Sequence, residues 1–242
     1  METILHFIYL ICNIIFLIFA ILIFAAYIIL SIISAYSLFF YMKKNKNVDY
    51  NVMLASPLCP SISVVAPAYN EGKTIIENVK ALLTLYYNNF DVIVVNDGSK
   101  DDTLEKVINE FELEKVHFAI NYQTPCKEII GVYRSRSKKY KKLTVIDKVN
   151  GGKADALNAG INISTKKLYV GIDVDSIIEP DALLKLVKPF IESSDGRVIA
   201  TGGVIRIAND CVFEDGQILE VRVPKSFLPR MQVLEYTRAF LM

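Results

Sequence analysis

From Ile4 to Met42 the sequence reads "ILHFIYLICNIIFLIFAILIFAAYIILSIISAYSLFFYM", with no Asp, Glu, Lys or Arg, no Gly and no Pro. A bilayer span needs only about 20 apolar residues, so this run restricts the architecture more than any other feature of the chain. It reads as a membrane anchor. A secretory signal would bring a basic leading segment, a shorter apolar run and a small-residue cleavage site, whereas the first charged side chain here is the acidic Glu2. Drawn out as a helix, such a run extends about 58 Å against a hydrocarbon core of about 30 Å. One long helix emerging into the interface is favoured over two tight spans, because no Gly or Pro marks a hairpin. "KKNK" at 43–46 follows at once, and the positive-inside rule places that flank, and the chain after it, on the cytoplasmic side. The expected organisation is an anchor with a basic flank over 1–46, a polar linker over 47–60 and a folded domain over 61–242.

After the linker the pattern changes to short β-branched runs alternating with helical stretches, an α/β signature. Strands are predicted at 61–69, 91–99, 116–120, 143–148, 167–175 and 197–207. Helices are predicted in "GKTIIENVKALLTLYY", in "DDTLEKVINEFE" with Asp101 or Asp102 as its N-cap, from about Lys153, and in "PDALLKLVKPFIES". Repeated β-α-β crossovers require a mainly parallel sheet. Open sheets of this kind bind ligands at the carboxyl ends of their strands. Three polar endings fall on that edge: Tyr69-Asn70-Glu71, Asn96-Asp97-Gly98-Ser99 and Asp173-Val174-Asp175-Ser176.

Asp173 and Asp175 stand two residues apart as an apolar strand ends. They share a face if the strand persists, and can converge on one ion if the chain turns. Hard carboxylate oxygens suit Mg²⁺ or Mn²⁺, which take one or two protein carboxylates and complete their shell with phosphate and water. "NDGS" at 96–99 is also good turn chemistry; in the functional reading Asp97 hydrogen-bonds a nucleobase or ribose, and Tyr69 offers a flat surface nearby. "NGGKADALNAG" at 150–160 lacks the upstream glycine and the following Ser or Thr of a Walker loop, and no G-x-G-x-x-G follows the first strand. By itself it reads as a glycine turn before a helix. The segment "YRSRSKKYKKLTVI" has six basic residues and no acid, but sparse aromatics and a membrane anchor argue for a solvated face or anionic lipid rather than nucleic acid. Cys12, Cys59, Cys126 and Cys211 show neither metal-ligand nor disulfide spacing.

Taken in order, "VVAPAYNEGKTI", "VVNDGSKDDT", "DKVNGGKADALNAGI" and "IDVDSIIEPDALLKLVKPF" behind an apolar helix resemble the family 2 inverting glycosyltransferases. More narrowly, they are similar to the membrane-bound branch of poly-N-acetylglucosamine and hyaluronan synthases. The resemblance covers about residues 60–242. It implies a GT-A fold (α/β, Rossmann-like, mainly parallel sheet), a UDP-sugar donor with UDP-N-acetylglucosamine foremost, and Mg²⁺ or Mn²⁺. It also implies a glycan or lipid-linked acceptor and a catalytic domain on the cytoplasmic face of the cell membrane. Carried over position by position, Ala68, Tyr69 and Glu71 would line the uridine pocket and Asp97 would contact uracil or ribose. Lys153 and Asn158 would approach the diphosphate and sugar, Asp173 the ribose or donor sugar, and Asp175 the metal.

Inverting transfer needs a general base for the acceptor hydroxyl. In the family this is an Asp in an acidic motif, followed by a Q-x-x-R-W-type motif and further membrane helices. None of these is found here. Glu214, Asp215, Glu220 and Glu235 lie in the general region but outside such a motif, and none is assigned as base. The expectation is an N-terminal, donor-binding portion whose remainder is missing or separately encoded. The alternative is an inactive membrane-anchored fragment that binds a nucleotide or a partner.

Overall fold

The computed structural model describes residues 2–45, 50–56, 59–193, 196–214 and 217–241. They fall into two compact units. One holds residues 1–49, 204–207 and 224–242, and the other residues 50–203 and 208–223.

In the first unit, α1 (Glu2–Asn45) is a single helix, so the apolar run forms no hairpin. Its stretch Thr3–Phe40 is 38 residues long, none of it buried, and long enough to cross a membrane. A helix exposing Phe, Ile and Leu all round has no protein core to serve. α7 (Phe227–Leu241) belongs to the same unit, where the Arg238 guanidinium stands 5.9 Å from the centre of the Tyr27 ring.

The second unit is built on a mixed sheet. Its strands are β1 (Ile62–Ala68), β2 (Phe90–Asp97), β3 (Leu113–Val116), β4 (Ile129–Ser135), β5 (Leu143–Lys148) and β6 (Leu168–Gly171), in the order β3-β4-β5-β2-β1-β6. β5, β2, β1 and β6 are parallel, and β4 and β3 join antiparallel at one side. A two-stranded pair, β7 (Val212–Glu214) and β8 (Gln217–Glu220), lies apart from it. Asp215 lies outside the described residues.

The alternation of strand side chains divides the core in two. Val64, Ala66, Val92, Val94, Leu143 and Val145 pack with Ile75, Val79 and Leu82 of α3 (Ile75–Leu83), Val107 of α4 (Thr103–Glu110) and Leu183, Leu184 and Val187 of α6 (Ala182–Glu192). The residues between them, Val65, Ile93, Val95 and Ile146, pack on α5 (Lys153–Ile163) through Ala156, Ala159 and Ile163. Each fully buried aliphatic side chain contributes about 1.5–3 kcal/mol relative to exposure. Four- and three-residue spacing puts Ile75, Val79 and Leu82 on one helix face, which is why this stretch is a helix rather than a strand.

Several expectations change. Part of the polar linker folds as α2 (Tyr50–Ala55), and Tyr50, Met53 and Leu54 pack against the core. The strand expected at 116–120 forms earlier, at 113–116, and β4 lies within a segment whose sequence reads as an irregular basic connection. The strand expected at 167–175 stops at Gly171. Residues 197–207 form no strand, and Ile199 is 92% exposed. A β-branched run becomes a strand only where a neighbouring strand satisfies its backbone, and this one pairs with none among the described residues.

Candidate functional site

The carboxyl ends of β1 and β2 are tied together by reciprocal hydrogen bonds. Asn70, with φ 58°, donates its backbone N–H to Ser99 Oγ at 3.0 Å, and its side-chain oxygen accepts from the Lys100 N–H at 2.8 Å. Gly72 N–H donates to Asp101 Oδ2 at 3.0 Å, while Lys106 Nζ donates to Gly72 O at 2.6 Å. Asp101 also accepts from the Thr103 hydroxyl at 2.5 Å and the Thr103 N–H at 3.1 Å. The Thr103 hydroxyl bond is the main reason its carboxyl stays below the ordinary range. Asp102 occupies the N-cap position of α4 but makes no side-chain capping bond, so Asp101 does the local work. This clasp leaves Ala68 buried, Glu71 half-buried and Tyr69 exposed at the lip.

Consecutive residues at the end of β2 point to opposite faces. Asn96 and Asp97 are in register with Asp147 and Lys148 of β5. On the α4 side, Asn96 Nδ2 donates to Asp147 Oδ1 at 2.8 Å, and the buried Asn96 Oδ1 has no hydrogen-bond partner among the described residues. Both residues border an open groove of about 500 Å³ with Ser99, Asp101, Leu104 and Ile130.

On the α5 side, Lys148 Nζ is 2.7 Å from Asp97 Oδ1 and 2.5 Å from Asp155 Oδ1, with the lysine side chain 0% exposed. Gly151 N–H donates to Asp97 Oδ1 at 2.9 Å and Gly152 N–H to Oδ2 at 2.7 Å, while Asn150 Nδ2 donates to the Asp97 carbonyl at 2.7 Å. Asp97 is therefore a buried carboxylate whose two oxygens are both engaged by the loop and by Lys148. Burial works hardest on the Lys148 ammonium, disfavouring its charge, but the bonds to Asp155 and Asp97 outweigh it and hold the group above its ordinary value. Burial likewise opposes charge on Asp155, and the Lys148 contact overrides it to keep that carboxyl low. Lys127 extends the network, its N–H 3.0 Å from Asp155 Oδ2 and its Nζ 2.6 Å from Asn150 O.

The glycines have specific work here. Gly98 sits at φ +65°, and a Cβ there would lie 2.8 Å from the Asn150 nitrogen; a Cβ at Gly151 would overlap the Asp155 carboxylate. The stretch at 150–152 is thus a glycine turn packed onto the end of β2, and it delivers Lys153 as the first residue of α5.

From there Lys153 Nζ reaches Asp173 Oδ1 at 2.5 Å, with side chains 62% and 48% exposed. β6 has already ended, and the chain turns, Ser176 N–H donating to Asp173 O at 2.9 Å. Val174 is driven into the core while Asp173 and Asp175 stay exposed on either side of it. The lysine after β5 and the acid after β6 are separated in the sheet by β2 and β1, so their ion pair bridges the carboxyl edge. Asn158, one turn into α5, donates to Pro125 O at 2.9 Å. The expected residues other than Asn158 therefore gather on one sheet edge, whereas Asn158 is engaged with the 121–128 segment.

Among the described residues no group of three His, Cys, Asp or Glu could enclose a metal ion. A divalent cation here would draw one or two carboxylates from the protein and phosphate oxygens from a ligand, a donor set that Mg²⁺ and Mn²⁺ accept. The exposed Asp175 carboxylate fits that requirement.

Sequence reasoning missed Lys148, Asp155 and Lys127. Lys148 had a signal: it follows Ile146 on the inward face of a strand, a position where a lysine needs a buried partner.

The glycosyl transferase family 2 model matches residues 63–237. The chain belongs to this family. It is 29% identical over 150 residues to an uncharacterized glycosyltransferase of Haemophilus influenzae, covering 62% of this chain and 38% of that protein. It is 26% identical over 203 residues to the poly-beta-1,6-N-acetyl-D-glucosamine synthase of Staphylococcus epidermidis, covering 83% of this chain and 39% of the synthase. The chain thus spans about two-fifths of the length of these curated relatives. Among solved structures, Staphylococcus aureus TarS 1–349 in complex with UDP-GlcNAc matches at 22% identity and TM-score 0.38, over 55% of this chain and 31% of that one. Mannosyltransferase PcManGT from Pyrobaculum calidifontis, in complex with GDP-Man and Mn²⁺, matches at 21% identity and TM-score 0.41, over 68% and 44%.

Proposed function

We propose that this glycosyltransferase domain binds a UDP-sugar, foremost UDP-N-acetylglucosamine, for the synthesis of a polysaccharide or glycolipid at the cytoplasmic face of the cell membrane. The observation that carries the reading is the exposed Lys153–Asp173 pair beside Asp175 on the carboxyl edge of the sheet. A diphosphate leaving group gathers negative charge as the glycosidic bond breaks, and a lysine held by an exchangeable carboxylate can turn to meet it. In this reading Tyr69 and Glu71 line the nucleoside side over the buried Ala68, Asp173 faces the ribose or donor sugar, and Lys153 faces the diphosphate. The expected ligand contacts of Asp97 and Asn158 are not kept, since the Asp97 carboxylate is taken up by Lys148 and the loop amides and Asn158 by the Pro125 carbonyl. Asp175 would hold Mg²⁺ or Mn²⁺, which when bound supplies further charge for the diphosphate. Similarity to the staphylococcal synthase supports the choice of sugar. The apolar α1, followed by basic residues, supports the membrane placement.

Deprotonation of the acceptor is assigned to no residue. Glu220 is paired with Arg222 at 2.5 Å, and Glu235 lies on α7 in the other compact unit. A second reading is that the residues given bind the donor while the base and the acceptor site are supplied from outside them, or that they bind nucleotide without transfer.

Titration of UDP into the detergent-solubilised chain, with and without Mn²⁺, tests the first proposal. Binding that Mn²⁺ strengthens and that Asp175→Ala makes metal-independent is the expected result. Absence of metal-dependent binding, or an unaltered Asp175→Ala variant, overturns it. Sugar transfer by the purified chain alone would overturn the second reading.

A further inference from the structure

Lys148 is the least exposed cation of the site, its side chain 0% exposed and paired with Asp97. Its ammonium nevertheless touches three separate pieces of chain: Asp97 at the end of β2, the Val149 carbonyl at 2.6 Å in the loop, and Asp155 in the first turn of α5. Asp155 in turn accepts the Lys127 N–H, and Lys127 Nζ returns to the Asn150 carbonyl. The Gly151 and Gly152 amides are held by the Asp97 carboxylate that Lys148 pairs, with the Asn150 side-chain amide on the Asp97 carbonyl and the Val149 N–H on the Glu128 carbonyl beside them. The loop contains two consecutive glycines, one of them at φ +89°, and a chain of that composition has no local preference strong enough to fix where the next residue points.

The next residue is Lys153. We propose that Lys148 and Asp155 are positioning residues for the donor diphosphate: they lock the glycine loop onto β2 and so aim Lys153 at the carboxyl edge without touching the ligand. This rests on the donor reading above. The arrangement separates two tasks that one lysine cannot perform together. A buried, doubly paired ammonium is rigid but inaccessible, and an exposed, singly paired one is accessible but free to wander. Joining them through five residues of loop and helix start gives an accessible cation whose base is fixed. Pre-organisation of this kind appears as affinity for the group contacted and leaves contacts elsewhere on the ligand alone.

Two measurements on the detergent-solubilised full chain test the proposal. The first is amide hydrogen exchange at Gly151 and Gly152 in Lys148→Met and Asp155→Asn. Both amides should exchange at least about tenfold faster than in the unaltered chain while the strands β1 and β2 stay protected. The second compares UDP with uridine, in Mn²⁺, on Asp155→Asn. UDP affinity should fall about tenfold and uridine affinity by less than about twofold, because only the diphosphate contact depends on the loop. Should Lys148→Met fail to fold, Asp155→Asn still decides, since that carboxylate is 22% exposed and its amide keeps part of the bonding. Unchanged exchange at Gly151 and Gly152, or equal losses for UDP and uridine, would overturn the positioning role. An unaltered chain that binds no UDP would instead remove the donor reading, and the exchange rates alone would then decide what holds the loop.

Discussion

Two lysines five residues apart, Lys148 and Lys153, make the same kind of bond in opposite surroundings. Lys148 is shut away between Asp97 and Asp155, and Lys153 meets Asp173 in solvent. Around the first, water is excluded and each charge depends on its partner; removal of one member strands the other in a medium that disfavours charge. Around the second, water already screens the pair, and either member can leave it at little cost. The buried set is therefore architecture, and the exposed pair is available for chemistry. Identical residue types within one loop and helix start serve both ends because strand parity and the glycine turn send them to different environments.

The contrast is broken most severely by Lys148→Met. Leaving Asp97 and Asp155 without their cation should cost roughly 3–5 kcal/mol, read as a fall in the thermal midpoint or in the denaturant midpoint. A loss below about 1 kcal/mol would mean that the buried set is no more structural than a surface pair. The pH dependence sharpens the same point. Lys148 is raised, so its contribution is complete below the ordinary lysine value and is lost as pH climbs through the folded one; Asp155 is lowered, so its contribution is complete above the ordinary aspartate value and is lost as pH falls through the folded one. Exchange protection at Gly151 and Gly152 should therefore hold across the neutral range and fail at both extremes. Gly98→Ala should cost about 1–3 kcal/mol, through its left-handed backbone and the collision with Asn150, measured by the same unfolding transition. Lys153→Ala should be the mildest for the fold, within about 0.5 kcal/mol, while weakening UDP binding about tenfold by calorimetric titration. A large stability loss there would erase the distinction between the two lysines.

Much of the α/β framework follows from local pattern. β5 occupies the expected 143–148, and α5 begins at Lys153, because apolar alternation and a glycine pair are local signals that the fold does not override. The segment 197–207 shows the limit: Val198, Ile199, Val204 and Ile205 favour strand, but strand formation needs a partner that lies elsewhere in the chain. β4 was hidden for the opposite reason. Its Arg134 and Ser135 read as part of a charged connection, yet pairing with β5 on one side and β3 on the other makes a strand of it. The candidate site divides in the same way. Polar endings of strands, including Asp97, Asp173 and Asp175, were visible as residues. That both Asp97 oxygens are consumed by a lysine 51 positions later and by two backbone amides was not, since no spacing in the sequence encodes register between strands.

That register also sets how this chain can change. Asn96 and Asp97 are neighbours that face opposite sides of one sheet, each matched to its own partner on β5. Gain or loss of a single residue in β2 would exchange the two side chains between faces, setting an amide that cannot neutralise Lys148 where the carboxylate had been, and a carboxylate against Asp147. Substitutions in this strand can be sampled one at a time, each with its own modest penalty, but its length cannot drift. Descendants of this sequence should vary in the composition of β2 while keeping its residue count, with insertions confined to the turns beyond it.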